Sequence, residues 1–131
     1  MQFLTFLLHL PHRSEYLKLD GKLNWQTFND SQFDLVTGIT LYHCPGHTPG
    51  LCIMQVNLLR DGCFIWTTDQ YHVRENFESN WAHGWLLRDY QSWVDSGKLI
   101  RRLQKSFSVR LIFGHDYATA MDLIKSKEYY E

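Results

Sequence analysis

Residues 38–58 constrain the fold of this chain most, because two apolar runs flank a short loop that contains two Pro-Gly pairs. The loop reads Cys44-Pro45-Gly46-His47-Thr48-Pro49-Gly50. This pattern predicts a strand, a tight loop and a second strand, with His47 at the apex. Proline stiffens such a loop, and glycine supplies backbone angles that other residues avoid. A histidine held in this way suits a metal ligand or a general base, and it equally suits a turn residue that only forms hydrogen bonds.

The size and charge of the chain exclude several classes of protein. Its 131 residues make at most one domain, and 44% hydrophobic and 15% aromatic residues are enough for a packed core. A net charge of -1 gives no electrostatic reason to bind nucleic acid or an anionic membrane. The three cysteines form no Cys-x-x-Cys pair, which favours a reducing, cytoplasmic location. The apolar first ten residues are shorter than the ~20 that cross a membrane, and they lack the features of a signal peptide.

The remaining periodicity predicts an α/β fold. We expect strands at residues 39–43, 52–57, 63–68 and 109–113, with a hairpin turn at Asp61-Gly62 and the apolar third strand central in the sheet. Asp89 should cap a long helix that extends to Lys105. Shorter helical segments are predicted near residues 14–19, 75–77 and 119–125, and residues 11–34 are otherwise expected to be rich in loops.

Three predicted strands end in a residue that can bind a metal ion. His47 follows the first strand, Asp69 the third and His115 the last. Strand ends of this kind converge on one edge of a sheet, where two imidazoles and a carboxylate make a zinc site. The alternative is three unrelated polar residues at the edge of the sheet.

The same residues lie in motifs that resemble the later metal motifs of the metallo-β-lactamase superfamily, in the order found there. The motifs are Pro45-Gly46-His47-Thr48-Pro49-Gly50, Thr67-Thr68-Asp69 and Phe113-Gly114-His115-Asp116. Within the superfamily the chain looks most similar to the N-acyl homoserine lactonases, because Glu75-Asn76-Phe77 resembles the stretch that follows their bridging aspartate. The resemblance implies an αββα sandwich and hydrolysis of a small-molecule lactone or ester by a zinc-activated hydroxide. It also implies that His47 binds one zinc, Asp69 bridges two, and His115 binds the second.

One motif of that superfamily, His-x-His-x-Asp-His, does not occur in this sequence. We therefore interpret residues 1–131 as a single partial domain, the C-terminal half of the fold. His9 and His12 are candidates for substitute ligands, and they are otherwise ordinary surface or core histidines. The alternatives to a hydrolase are a non-catalytic remnant that acts as a binding module, and an α/β domain without metal. A sheet face left uncovered would favour self-association.

Lactonases carry a tyrosine shortly after the bridging aspartate, and here the matching position is His72, with Tyr71 beside it. Either side chain would donate a hydrogen bond to the oxyanion, which makes both candidate catalytic residues. The alternative is aromatic packing beneath a loop. His83 and Trp85 are candidates for lining a pocket near the same edge, or for packing.

Overall fold

The computed structural model describes residues 26–123 and 129–131, and within them the chain forms one five-stranded sheet. The strands lie in the order β1-β2-β3-β4-β5, and all neighbours are antiparallel except the parallel pair of β4 and β5. Their bounds are β1 Gln32–Val36, β2 Ile39–His43, β3 Cys52–Leu58, β4 Gly62–Trp66 and β5 Arg110–Ile112. This mixed sheet with helices confirms the predicted α/β class.

The antiparallel part of the sheet has three strand pairs, and the turns of the first and the last of them contain a glycine with positive φ. Gly38 (φ 87°) lies between β1 and β2, and Gly62 (φ 81°) opens β4 at the predicted turn. β1 corrects the prediction of a loop for residues 32–34. Its residues are mostly exposed and carry little apolar periodicity, so pairing with β2 rather than burial makes this edge segment extended.

Two helices lie in the long connection between β4 and β5, and a third follows β5. The structure has α1 Arg74–Ser79, α2 Tyr90–Phe107 and α3 Tyr117–Asp122, with 3₁₀ turns at Thr68–Gln70 and Gly84–Leu86. The predicted cap is confirmed, because the Asp89 carboxylate accepts a hydrogen bond from the Ser92 N–H at 3.0 Å. None of the described helices is long and apolar enough to span a membrane. The helical turn expected near residues 14–19, and His9 and His12, lie outside the described residues.

The core lies between one face of the sheet and α2. Register places Ile65 of β4 beside Leu111 of β5, and both are buried with Ile53 of β3. Trp93 and Ile100 of α2 are fully buried in the same cluster. In the described sheet β4 is an interior strand, but the middle strand is β3 rather than β4. The core therefore fixes α2 across the sheet, directly behind the strand ends that carry the predicted ligands.

The opposite face of the sheet is also apolar. Strand alternation places Met54 and Val56 of β3 there, together with Phe64 and Trp66 of β4. Phe64 is buried and packs on the ring of Tyr130 at a centroid distance of 4.9 Å, whereas Trp66 is 45% exposed. This face is therefore only partly covered within the described part of the chain.

Candidate metal centre

Asp69 and His115 meet because β4 and β5 are parallel neighbours. Parallel strands present their carboxyl ends at the same edge of a sheet, so the segments that follow them lie side by side. The Thr67 N–H donates to the Ile112 carbonyl at 2.9 Å, which extends the ladder to the last residues before Asp69. A parallel pair thus joins two ligand candidates that lie far apart in the sequence.

Two threonine hydroxyls fix the turn that carries Asp69. Thr67 Oγ1 donates to the Ile112 carbonyl at 3.1 Å, and Thr68 Oγ1 donates to the Cys52 carbonyl at 2.9 Å. Thr68 has φ 49°, which is unfavourable for a β-branched residue. Backbone strain of this kind concentrates at functional sites, where the surrounding contacts hold it. Here the left-handed backbone at Thr68 turns the chain so that Asp69 lies at the edge of the sheet.

Gly114 lets the His115 loop approach the Asp69 turn. A Cβ at this position would lie 2.5 Å from the Thr68 carbonyl oxygen, so only glycine fits without movement of the backbone. The next residue extends the contact, because the His115 N–H donates to the His72 carbonyl at 2.8 Å. This backbone hydrogen bond holds His115 and His72 beside each other.

Gly46 attaches the His47 loop to the start of α2. Its φ is 143°, and its carbonyl accepts hydrogen bonds from the N–H groups of Arg88 and Asp89 at 3.0 and 2.9 Å. A Cβ on Gly46 would lie 2.5 Å from the Cα of Trp93. The loop therefore lies directly on the helix backbone, and His47 is held over the same edge of the sheet as Asp69.

The structure brings His47, Asp69 and His115 together and adds His72. His115 Nε2 lies 2.9 Å from Asp69 Oδ1, and His72 Nε2 lies 3.7 Å from the same oxygen. His47 Nε2 lies 3.8 Å from the other oxygen, Oδ2. The donor atoms of Asp69, His72 and His115 all lie within 4.8 Å of one another. The two oxygens of one carboxylate therefore face different imidazoles.

His83 completes a cluster of imidazoles around Asp69. Its ring stacks on His72 at a centroid distance of 3.8 Å, and its Nε2 lies 2.9 Å from the Asp69 carbonyl and 3.2 Å from that of Gln70. Burial, and then the neighbouring imidazoles, lower the pKa of His72 to about 4. Burial also lowers the pKa of His83. Both rings are thus neutral near pH 7, as a metal ligand requires.

Tyr71 lies in the core, although it was predicted as an alternative to His72. It is fully buried, with its ring against Phe77 and Trp93 at 5.2 and 5.6 Å, and burial raises its pKa. Its hydroxyl would lie 2.4 Å from a Cβ on Gly97 of α2. The backbone at Tyr71 is extended, so successive side chains point in opposite directions. His72, rather than Tyr71, therefore faces the Asp69 carboxylate.

The sequence assigns no role to Asp116, and it predicts His83 only as a candidate for lining a pocket near this edge or for packing. Asp116 accepts hydrogen bonds from the backbone N–H of Arg74 at 2.9 Å and of Thr119 at 3.0 Å, so it connects the starts of α1 and α3 around His115. His83 is brought in by the 3₁₀ turn before α2, and no spacing in the sequence indicates that contact. Trp85 is 84% exposed and does not form part of the cluster's interior.

The chain is similar to curated N-acyl homoserine lactonases. It is 29% identical over 107 residues to one from a Bacillus species, and 28% identical over 107 residues to N-acyl homoserine lactonase AiiA of Bacillus thuringiensis subsp. kurstaki. Each match covers 80% of this chain and 42% of the relative. The chain thus spans less than half the length of the curated relatives it matches. No protein-family profile matches it.

Solved structures of lactonases share its fold. An N-acyl homoserine lactone hydrolase, described with the product N-hexanoyl-L-homoserine bound at the catalytic metal centre, superposes with a TM-score of 0.72 at 24% identity over 85% of this chain and 43% of that chain. AidC, described as a dizinc quorum-quenching lactonase, gives a TM-score of 0.57 at 18% identity over 85% of this chain and 40% of that chain. These comparisons confirm the predicted resemblance to N-acyl homoserine lactonases.

Proposed function

We propose that this chain is part of a zinc-dependent hydrolase of the metallo-β-lactamase superfamily that opens lactones or esters, with an N-acyl homoserine lactone as the substrate class. The observation that carries the proposal is the position of the Asp69 carboxylate. One oxygen faces His72 and His115, and the other faces His47. A carboxylate in this arrangement is suited to bridge two cations. The similarity to lactonases over 80% of the chain supports the substrate class.

The donor set fits zinc. Imidazole nitrogens and a carboxylate oxygen are ligands that zinc accepts at bond lengths of about 2.0–2.2 Å. His47 Nε2 lies 3.8 Å from Asp69 Oδ2, beyond hydrogen-bond distance, so a cation between these two atoms would have a donor on each side. In the proposed roles, His47 would hold one cation, His115 would hold the other, and Asp69 would contact both.

The protein groups around the cations would position the substrate. Bound zinc supplies Lewis-acid chemistry and a hydroxide nucleophile near neutral pH. Beside it, His72 presents an imidazole whose Nε2 lies 3.7 Å from Asp69 Oδ1. Because this ring is neutral near pH 7, it carries one N–H that can donate to a developing oxyanion. It can do so only if the nitrogen that faces the site does not itself bind the cation. The alternative donor, Tyr71, has its hydroxyl against α2 and is less suited to the role.

Ring opening of a lactone tests the proposal directly. The full chain, loaded with zinc, is assayed by pH-stat on N-hexanoyl homoserine lactone, since each ring opened releases one proton. We expect proton release above the rate without enzyme, and we expect the Asp69→Asn variant to abolish it. Asp34→Asn is the matched control, because the Asp34 carboxylate only accepts a hydrogen bond from the Thr40 hydroxyl on an exposed strand pair. Activity that survives in Asp69→Asn would exclude the proposed centre.

A second candidate function is a non-catalytic binding module of the same fold. The match to only 42% of each curated relative favours it, since residues outside this chain can be required for hydrolysis. Zinc binding without ring opening would support this alternative. Ring opening by the chain itself would exclude it. The interpretation of residues 1–131 as one partial domain belongs to the same proposal.

The apolar outer face of the sheet supports a proposal of self-association. Trp66 is 45% exposed there, next to the half-buried Met54 and Val56. Apolar patches of this kind mark surfaces that pair with a partner. Size-exclusion chromatography with light scattering should give dimers or larger species. A monodisperse monomer with a sharp thermal transition would contradict this proposal.

The cytoplasmic location expected from the cysteines stays a prediction.

A further inference from the structure

We propose that His72 is a metal ligand, and that Asp69, His72 and His115 together bind one zinc ion without any residue from outside this chain. The inference rests on the proposed zinc binding at this edge of the sheet, but it does not require hydrolysis. It changes the role of His72 from a hydrogen-bond donor to a ligand. It also predicts that the first zinc ion binds beside Asp69 Oδ1 and not beside Oδ2.

The first argument is convergence on one oxygen atom. His115 Nε2 and His72 Nε2 lie 2.9 and 3.7 Å from Asp69 Oδ1, while His47 faces Oδ2 at 3.8 Å. Two donors of a tetrahedral zinc site with bonds of 2.0–2.1 Å are about 3.3 Å apart. The two distances to Oδ1 lie on either side of that value. A cation at this point would replace the hydrogen bond between His115 and Asp69.

The second argument is that the backbone already fixes the two imidazoles. The His115 N–H donates to the His72 carbonyl at 2.8 Å, so the two residues cannot separate without breaking a hydrogen bond. Gly114 packs against the carbonyl of Thr68, which sets the distance from His115 to the Asp69 turn. Metal sites require ligands whose positions are set before the cation arrives.

The third argument is that surrounding groups orient the His72 ring. His83 covers one face at 3.8 Å, with an interplanar angle of 16°, and the His115 ring meets His72 edge-on at 4.7 Å. His83 is itself held, because its Nε2 can donate to the Asp69 and Gln70 carbonyls. Outer groups of this kind keep ligands in place. His83 is therefore a positioning residue whose Nε2 is not free to bind the cation.

The resulting ligand set has a specific chemical meaning. Two imidazoles and one carboxylate leave a fourth position open on a tetrahedral cation, as in catalytic rather than structural zinc sites. His47, on the other side of the carboxylate, has only Oδ2 as a companion in the described cluster. A single equivalent of zinc should therefore occupy the side of the carboxylate that has three protein donors.

The test identifies the ligands in the unmodified chain. The chain is labelled with ¹⁵N, loaded with one equivalent of ¹¹³Cd²⁺ as a zinc substitute, and examined by NMR for scalar coupling between cadmium and the ring nitrogens. We expect coupling to one nitrogen each of His72 and His115. Coupling to His47 and His115 without His72 would overturn the inference, and so would the absence of bound cadmium.

Affinity measurements on matched variants give an independent result. His72→Phe keeps an aromatic ring against His83 but removes both nitrogens, and it should weaken the first zinc equivalent by more than about 100-fold, beyond the range for outer-sphere changes. His47→Phe should weaken it less than tenfold. His43→Phe is the control, since this exposed ring bonds the Pro49 carbonyl. Equal losses for His72→Phe and His43→Phe would overturn the inference.

The two proposals fail in different ways. One bound cation on His72 with no ring opening would support this inference and exclude hydrolysis by the chain. Ring opening by the chain, together with unchanged zinc affinity in His72→Phe, would support hydrolysis and overturn the inference that His72 is a ligand. Near-ultraviolet circular dichroism, which reports the packing of Trp93 and its neighbours, establishes that each variant is folded before its affinity is compared.

Discussion

Replacing Gly97 of α2 by alanine should destabilise the protein through a single atom, the Tyr71 hydroxyl oxygen. A Cβ on Gly97 would lie 2.4 Å from that oxygen, and the next nearest atom of the ring is Cζ at 3.6 Å. The hydroxyl is buried and makes no hydrogen bond among the described residues. Burial raises the pKa of Tyr71, and the nearby side chains of Arg101 and Gln70 partly offset that rise. The ring cannot turn away freely, because Phe77 and Trp93 pack on it.

The magnitude follows from two opposing effects. Overpacking a core costs about 1–3 kcal/mol, while alanine in place of glycine stabilises a helix interior by about 1 kcal/mol. Gly97→Ala should therefore lower the free energy of unfolding by about 0–2 kcal/mol. In the Tyr71→Phe background the oxygen is absent and the Cζ contact is ordinary, so the same change should raise the free energy of unfolding by about 1 kcal/mol. The coupling energy between the two sites is then about 1–3 kcal/mol.

Urea unfolding of the four proteins, followed by tryptophan fluorescence, measures this cycle. Tyr71→Phe alone should change stability by less than about 1 kcal/mol, because the hydroxyl it removes has no partner to lose. It should also leave zinc affinity unchanged, since Tyr71 faces α2. Effects that add to within about 0.5 kcal/mol would refute the steric argument. Weaker zinc binding in Tyr71→Phe would instead assign this residue to the metal centre.

Gly46→Ala should destabilise the chain by more than about 2 kcal/mol in urea titration, because its Cβ would lie 2.5 Å from the backbone of Trp93. Gly62→Ala is its control, with positive φ but nothing within 4 Å, and should cost only about 1 kcal/mol. Cys44 should react with a thiol reagent only after unfolding, because burial raises its pKa to about 12, whereas the other two cysteines should react sooner. Asp116→Ala should lower the free energy of unfolding by about 1–2 kcal/mol, because α1 and α3 both lose a hydrogen bond at their start.

Distinct outcomes would contradict these three predictions. Equal destabilisation by Gly46→Ala and Gly62→Ala would show that the close approach to α2 is unimportant. Labelling of Cys44 at the rate of the other thiols in the folded chain would show that its site opens to solvent. An Asp116→Asn variant keeps one acceptor oxygen and should lie between the wild type and Asp116→Ala, and a loss larger than that of alanine would exclude the capping role.

The sequence predicts the parts of the fold that local chemistry determines. The turns at Asp61-Gly62 and at Pro45-Gly46 appear where expected, and so does the start of α2 at Asp89, because each depends on residues within a few positions. β1 was missed because its extended form depends on hydrogen bonds to β2 rather than on its own side chains. An edge strand with exposed residues carries little signal of its own.

The candidate centre was predicted in part for a similar reason. Strand ends gave His47, Asp69 and His115, since the order of strands and ligands can be read along the chain. The choice between Tyr71 and His72 depends on which side of an extended segment faces the carboxylate, and adjacent positions differ only in that direction. His83 reaches the cluster through a 3₁₀ turn and a contact with backbone carbonyls, neither of which has a pattern in the sequence.

The parallel pairing of β4 and β5 also determines when the centre can form. Asp69 and His115 are 46 positions apart, and they meet only after the connection through α1 and α2 has closed. Closing a chain of that length costs roughly 3 kcal/mol in entropy beyond a constant. A cation that needs both residues can bind only once this closure is complete. Zinc should therefore slow unfolding and leave the folding rate almost unchanged, as interactions absent from the transition state do.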